Sequence, residues 1–146
     1  MGQLSVFDII GPVMVGPSSS HTAGAQKLGL EFGRRVSGKV LRLEVTLFNS
    51  FADTGEGHGT NVAVVAGVLG ISTEDEVMKQ ALSLARLRGM EVVFRRAYDA
   101  GRHPNSVELF AETTLGFFAG SGESLGGGMV SYRDVDLGSV AAHGPA

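Results

Sequence analysis

The chain has 146 residues, with 12 Lys+Arg against 15 Asp+Glu and a formal net charge of −3. That length supports one domain with a modest core, and 43% hydrophobic with 18% charged residues excludes a disordered tail or charged linker. The balance lacks the basic surplus that marks a nucleic-acid partner, and the absence of cysteine removes disulfides, thiolate nucleophiles and Cys-ligated zinc or iron–sulfur clusters from this chain.

In chain order, Met1–Phe7 lacks the basic start and apolar run of a secretory signal. A helix is predicted from Ser18 to Arg35: Pro17 blocks earlier helix, the serine run supplies N-cap side chains, and Ala25, Leu28, Phe32 and Val36 form an apolar stripe. Ala25, Gly29 and Gly33 make a second ridge of small residues. Interior glycines cost up to ~1 kcal/mol each, so the ridge predicts close approach by another backbone. Gly38 ends the segment.

Val40 to Phe48 alternates, with Leu41, Leu43, Val45 and Leu47 on one face, and reads as a half-buried strand. Asn49 to Gly59 reads as a turn-rich loop, and Thr60 to Leu69 as a short, fully buried helix. Val62–Leu69 is the longest apolar stretch and falls far short of the ~20 residues that span a bilayer. A soluble, cytoplasmic protein with no membrane partner is expected.

The next predicted helix is Glu74 to Arg88, with a capping box at Thr73 and Glu76, a stripe of Val77, Ala81, Leu84 and Ala85, and a stop at Gly89. Glu91 to Arg96 reads as a strand. Ser106 to Phe118 alternates throughout and reads as one long strand, and Gly126 to Tyr132 as its return after a Gly/Ser loop. The tail 138–146 is linker-like. Strands and helices do not alternate as βαβ units, so the predicted fold is α+β: a two-layer domain whose mainly antiparallel four-stranded sheet is covered by about three helices.

Two segments hold groups suited to chemistry. In Gly16-Pro17-Ser18-Ser19-Ser20-His21-Thr22, hydroxyls and an imidazole open a helix, where free N–H groups favour a carboxylate or phosphate. The bland alternative is an over-supplied N-cap with an exposed histidine. In Gly55-Glu56-Gly57-His58-Gly59-Thr60-Asn61, a histidine between glycines at a loop-to-helix junction is placed for proton transfer; a turn with a capped helix explains it as well. His103-Pro104-Asn105-Ser106 reads as a turn before a strand. Ser124-Leu125-Gly126-Gly127-Gly128 reads either as backbone against a ligand or as a hairpin with a bulge.

Ser5-Val6-Phe7-Asp8-Ile9-Ile10-Gly11-Pro12 and Gly16-Pro17-Ser18-Ser19-Ser20-His21-Thr22 together resemble the opening of the beta chain of iron–sulfur-dependent L-serine dehydratase. Gly57-His58-Gly59-Thr60, His103-Pro104-Asn105 and Ser124-Leu125-Gly126-Gly127-Gly128 follow in that family's order, so the resemblance runs from about Ser5 to Tyr132. It implies an allosteric substrate-binding-type fold over 1–137. It further implies deamination of L-serine to pyruvate and ammonia with an alpha chain that carries a [4Fe–4S] cluster, and homo-dimerisation besides. No metal is expected on this chain.

By the same resemblance His58 is the candidate base and His21 a proton shuttle or carboxylate partner. Ser18, Ser19, Ser20 and Thr22 would hold polar groups of serine, assisted by Thr60. Asn61, also a candidate contact, stands where many relatives carry aspartate. Many beta chains continue into an ACT-type domain, whereas this sequence stops at a linker-like tail; that domain is expected to be either cut away or naturally absent. The competing expectation is a regulatory module that binds serine or another small carboxylate without direct catalysis.

Overall fold

The computed structural model describes residues 20–55 and 59–137, with Ser20 described in its backbone only. Helix α1 (Ala25–Arg35) is entered through a π-helical turn, Ser20–Gly24. Strand β1 (Val40–Asn49) leads into α2 (Ser50–Thr54), then α3 (Thr60–Val68), a 3₁₀ turn (Glu76–Gln80) and α4 (Ala81–Leu87). Strands β2 (Glu91–Ala97), β3 (Asn105–Thr113), β4 (Gly116–Gly126) and β5 (Met129–Asp134) complete the chain.

The sheet has five strands in the order β2-β1-β3-β4-β5. The α+β class and the mainly antiparallel pairing are as predicted, but four strands under about three helices become, among the described residues, five strands with one parallel pairing and four helices. β2 pairs parallel to β1, with Leu43 opposite Val92 and Val45 opposite Phe94. Parallel neighbours need a long crossover, which α2, α3 and α4 supply.

The other correction is the single strand expected over 106–118. It is two strands joined at Thr114–Leu115, with Thr113 opposite Gly116. The Thr113 hydroxyl accepts from Leu115 N at 2.9 Å and donates to Gly116 O at 3.1 Å, closing the turn. Alternation of apolar residues continues unbroken through that turn, which is why it was hidden. Leu115 and Phe117 lie beyond it and are exposed.

The supposed Gly/Ser loop is therefore the body of β4. Its glycines serve close approach: a Cβ on Gly120 would meet the Tyr132 hydroxyl, and one on Gly122 would meet Leu28 and Ser131 O.

One face of the sheet forms the core. Leu43, Val45 and Leu47 of β1 and Val107, Leu109 and Ala111 of β3 are buried there against Leu28 and Phe32 of α1 and Val64 and Val65 of α3. Full burial of each large side chain is worth about 1.5–3 kcal/mol. Leu41, expected on this face, is exposed at the start of β1. The small-residue ridge of α1 does meet a backbone. A Cβ on Gly29 would meet Val64 O, one on Gly33 would lie 2.7 Å from Val68 O, and one on Gly67 would meet Gln26 O. α3 is accordingly enclosed, with Thr60 and Ala63 to Gly67 all buried.

The capping box of the fourth helix does not form. Asp75, not Thr73, takes the cap, its Oδ1 accepting from Val77 N at 2.8 Å, and Ser72 Oγ accepts from Glu74 N. An extended Asp75 starts a 3₁₀ turn instead of an α-helix, and Val77 is left exposed. The stop is as read: Gly89 has φ +81, its N–H donates to Arg86 O, and Met90 N–H donates to Ala85 O. This is a Schellman closure.

Candidate functional site

The site lies at the end of the sheet where β1 and β4 finish and β3 begins. His21, in the π-helical turn, has its Nε2 3.1 Å from Asn105 Oδ1, at the first residue of β3. Its ring packs against buried Phe51 of α2, centroids 5.7 Å apart and planes tilted by 58°. Interruptions of this kind in helices are frequent at functional sites.

The start of β3 is built around the imidazole. His103 Nδ1 accepts the Asn105 N–H at 3.0 Å. Pro104 O accepts from Ser50 N at 2.8 Å and from Phe51 N at 3.3 Å. The first two amides of α2, which have no partner within their own helix, thus dock on the residue that precedes Asn105. Gly24, closing the π-turn, leaves no room for a Cβ because the Ser124 side chain occupies that space. Ser124 is fully buried in β4. A bulge between Ser124 and Gly126 follows it, and Lys27 Nζ donates to Gly128 O at 2.9 Å, tying the hairpin to α1.

Asn49 is the junction between β1 and α2. Its φ of 59° and ψ of −120° make it the one non-glycine at positive φ among the described residues. Such a conformation costs about 1–3 kcal/mol and persists only where surroundings impose it. Here its Nδ2 lies 3.0–3.3 Å from the carbonyls of Asp99, Arg102 and His103, and its Oδ1 accepts from Asp99 N at 2.9 Å. Arg102 lies over Phe48, 3.9 Å from the ring centroid, and donates to Glu108 at 2.9 Å. Residues 98–104 are thereby fixed against the sheet.

The remaining predicted site residues are distributed as follows. Thr60 is buried, its hydroxyl 3.0 Å from that of Thr54, so it ties α3 to α2. Asn61 N–H donates to Gly55 O at 3.0 Å, and its Oδ1 is buried without a hydrogen-bond partner among the described residues. Thr22 is half-buried beside His21. Ser18, Ser19 and His58 lie outside the described residues, as does the side chain of Ser20. Gly55 and Gly59 stand on either side of residues 56–58 in the sequence, and α3, which begins at Thr60, packs on the π-turn.

The sequence reads Asn105 as a turn residue and leaves the segment of Ser124 open between a ligand contact and a hairpin with a bulge. The one sequence signal for them was their place in the family's motif order. Among the described residues no group of three or more His, Cys, Asp or Glu could hold a metal, and no helix is long and apolar enough to cross a membrane. A cavity of about 660 Å³ lies far along the sheet, lined by Gly33, Val36, Val68 and Met90, and contains none of the site residues.

Fold and site together define an α+β two-layer domain in which four sequence segments meet around an imidazole at one end of the sheet. Residues 5–135 match the family described as serine dehydratase beta chain, and the chain belongs to that family. It is 41% identical over 136 residues to the probable L-serine dehydratase beta chain of Bacillus subtilis, covering 90% of this chain and 60% of the relative. To the L-serine dehydratase beta chain of Peptoniphilus asaccharolyticus it is 38% identical over 140 residues, with 93% and 62% covered. An L-serine dehydratase of Streptomyces coelicolor is 32% identical over 158 residues, with 90% of this chain and 34% of that protein covered. The chain thus spans about three fifths of the two beta chains it matches.

Proposed function

We propose that this chain is the beta subunit of an L-serine dehydratase, converting L-serine to pyruvate and ammonia together with an alpha chain. One observation carries the reading. The segments containing His21, Phe51, Asn105 and Ser124 are spread over more than 100 positions, yet they meet at one sheet end. That is a requirement of a site, since core packing alone does not call for an imidazole held by an amide.

The chemistry implied by the family relies on a [4Fe–4S] cluster, which supplies Lewis acidity. This chain has no thiolate to hold one, so the cluster is assigned to the alpha chain and no role in binding it falls on these residues. The chain's own work is positioning and proton movement. His58, between glycines, is the base for the α-proton of serine. His21, oriented by Asn105, moves a proton or faces the carboxylate, and Ser18, Ser19, Ser20 and Thr22 bind the substrate's polar groups.

The test is pyruvate formation by the assembled two-chain enzyme. His58→Ala is expected to lower kcat by about 10²–10⁴-fold with little change in the KM for serine, the usual contribution of a general base. The 146-residue chain alone is expected to form no pyruvate after iron–sulfur reconstitution. Near-normal turnover with altered cooperativity would instead establish the regulatory module, and activity from the isolated chain would overturn the division of labour.

A further inference from the structure

We infer that Asn49 is a positioning residue for the imidazole of His21, acting through the 98–104 loop. Its side chain uses its Nδ2 on three carbonyls and its carbonyl oxygen on one N–H, all in a loop about 50 residues distant. The two amides that follow it, Ser50 N and Phe51 N, end on Pro104 O. Two neighbours of the His21 ring are therefore set by this one corner: Phe51 directly, and Asn105 through Pro104.

The strained backbone at Asn49 points the same way. A glycine would occupy that conformation without strain, so the asparagine is explained by what its amide holds. An aspartate would keep the acceptor for Asp99 N but would set a carboxylate against three carbonyl oxygens. Further restraints on the loop, Arg102 on Phe48, Glu108 and Ser121 and Tyr98 on Asp53, hold its outer side through residues other than Pro104 and Asn105. The loop can thus stay folded while the His21 contact loosens.

The ring is read directly by long-range ¹H–¹⁵N NMR of the full 146-residue chain, with Asn105→Ala marking the state in which the His21–Asn105 bond is absent. In Asn49→Gly, whose backbone is relieved, the His21 Nε2-bound proton is expected to exchange at least fivefold faster. Its tautomer pattern is expected to move toward that of Asn105→Ala, with α1 and α3 amide shifts unchanged. Asn49→Asp is expected to behave alike, because the three donated bonds carry the effect. If either variant keeps the wild-type ring signals within twofold, the inference is overturned.

In the assembled two-chain enzyme Asn49→Gly is expected to lower kcat about tenfold with the serine KM within twofold; unchanged turnover would also overturn it. That activity arm rests on the dehydratase reading. Should the wild-type assembly form no pyruvate, that reading fails while the ring measurement still decides this one.

Discussion

The seam between α1 and α3 and the site end of the sheet are both rich in glycine, for opposite reasons. In the seam, Gly29, Gly33 and Gly67 sit inside ordinary helices, and each is required because a Cβ would collide with backbone of the facing helix. At the site end, Gly127 and Gly128 have φ of +64° and +81° with nothing within 4 Å of a built Cβ. There the requirement is the left-handed pair of a two-residue hairpin turn. One region demands absence of volume, the other freedom of conformation. The difference predicts rigid, steep responses to substitution in the seam and shallow ones at the turn.

Three substitutions test that contrast. Phe51→Ala empties a fully buried site beside His21 and is expected to cost about 3–5 kcal/mol in urea unfolding. A smaller loss would show that the site end tolerates repacking and is softer than the seam. Gly67→Ala should cost about 2–3 kcal/mol net, despite up to ~1 kcal/mol gained from alanine's helix propensity. A neutral or stabilising result would mean that the two helices separate readily, and the steric account of the seam would fail. Gly127→Ala is expected to cost only about 1 kcal/mol, the penalty of a side chain in the left-handed region. A loss equal to that of Gly67→Ala would erase the contrast.

The smallest effect appears only in alkali. Tyr132 is half-buried on β5, its hydroxyl enclosed above Gly120. Burial first, and the negative charge of Asp134 second, raise its pKa well above the ordinary phenol value. A raised folded-state pKa gives a contribution fully present below about pH 10, the unfolded value, and lost as pH climbs beyond it. Thermal melts should therefore show stability falling from pH 10 upward in the wild type. Tyr132→Phe should flatten that slope, because it removes the titrating hydroxyl. An unchanged slope would place the alkaline sensitivity elsewhere.

Legibility in the sequence followed the range of the interaction. The alternation of β1, the stripe Ala25–Leu28–Phe32, the stop at Gly89 and the small-residue ridge on α1 were all readable, because each is set by neighbours within a few positions. The turn at Thr114–Leu115 was not, since a period of two survives a two-residue loop. The 3₁₀ start at Glu76 was missed because the cap falls on Asp75, two residues past Thr73, where its carboxylate accepts from Val77 N. At the site, His21 stood out by its polar surroundings. Asn105 and Ser124 did not, because an Asn after Pro and a Ser before glycines are ordinary turn chemistry. Asn49 left no mark: positive φ at a non-glycine is invisible in a one-dimensional pattern.

What the sequence determined by itself was the class of fold, the closeness of α1 to another backbone, and the motifs that join the chain to the serine dehydratase beta chain family. These depend on side-chain size, period and order, which the chain carries locally. Only the tertiary structure decided that β2 runs parallel beside β1, that β4 takes up the glycine-rich stretch, and that His21 is held between Asn105 and Phe51. Those outcomes are pairings between segments, from the β3–β4 hairpin to the His21–Asn105 contact 84 residues apart. Their energies come from burying shared faces and satisfying each other's amides, so neither partner shows the choice until both are in place.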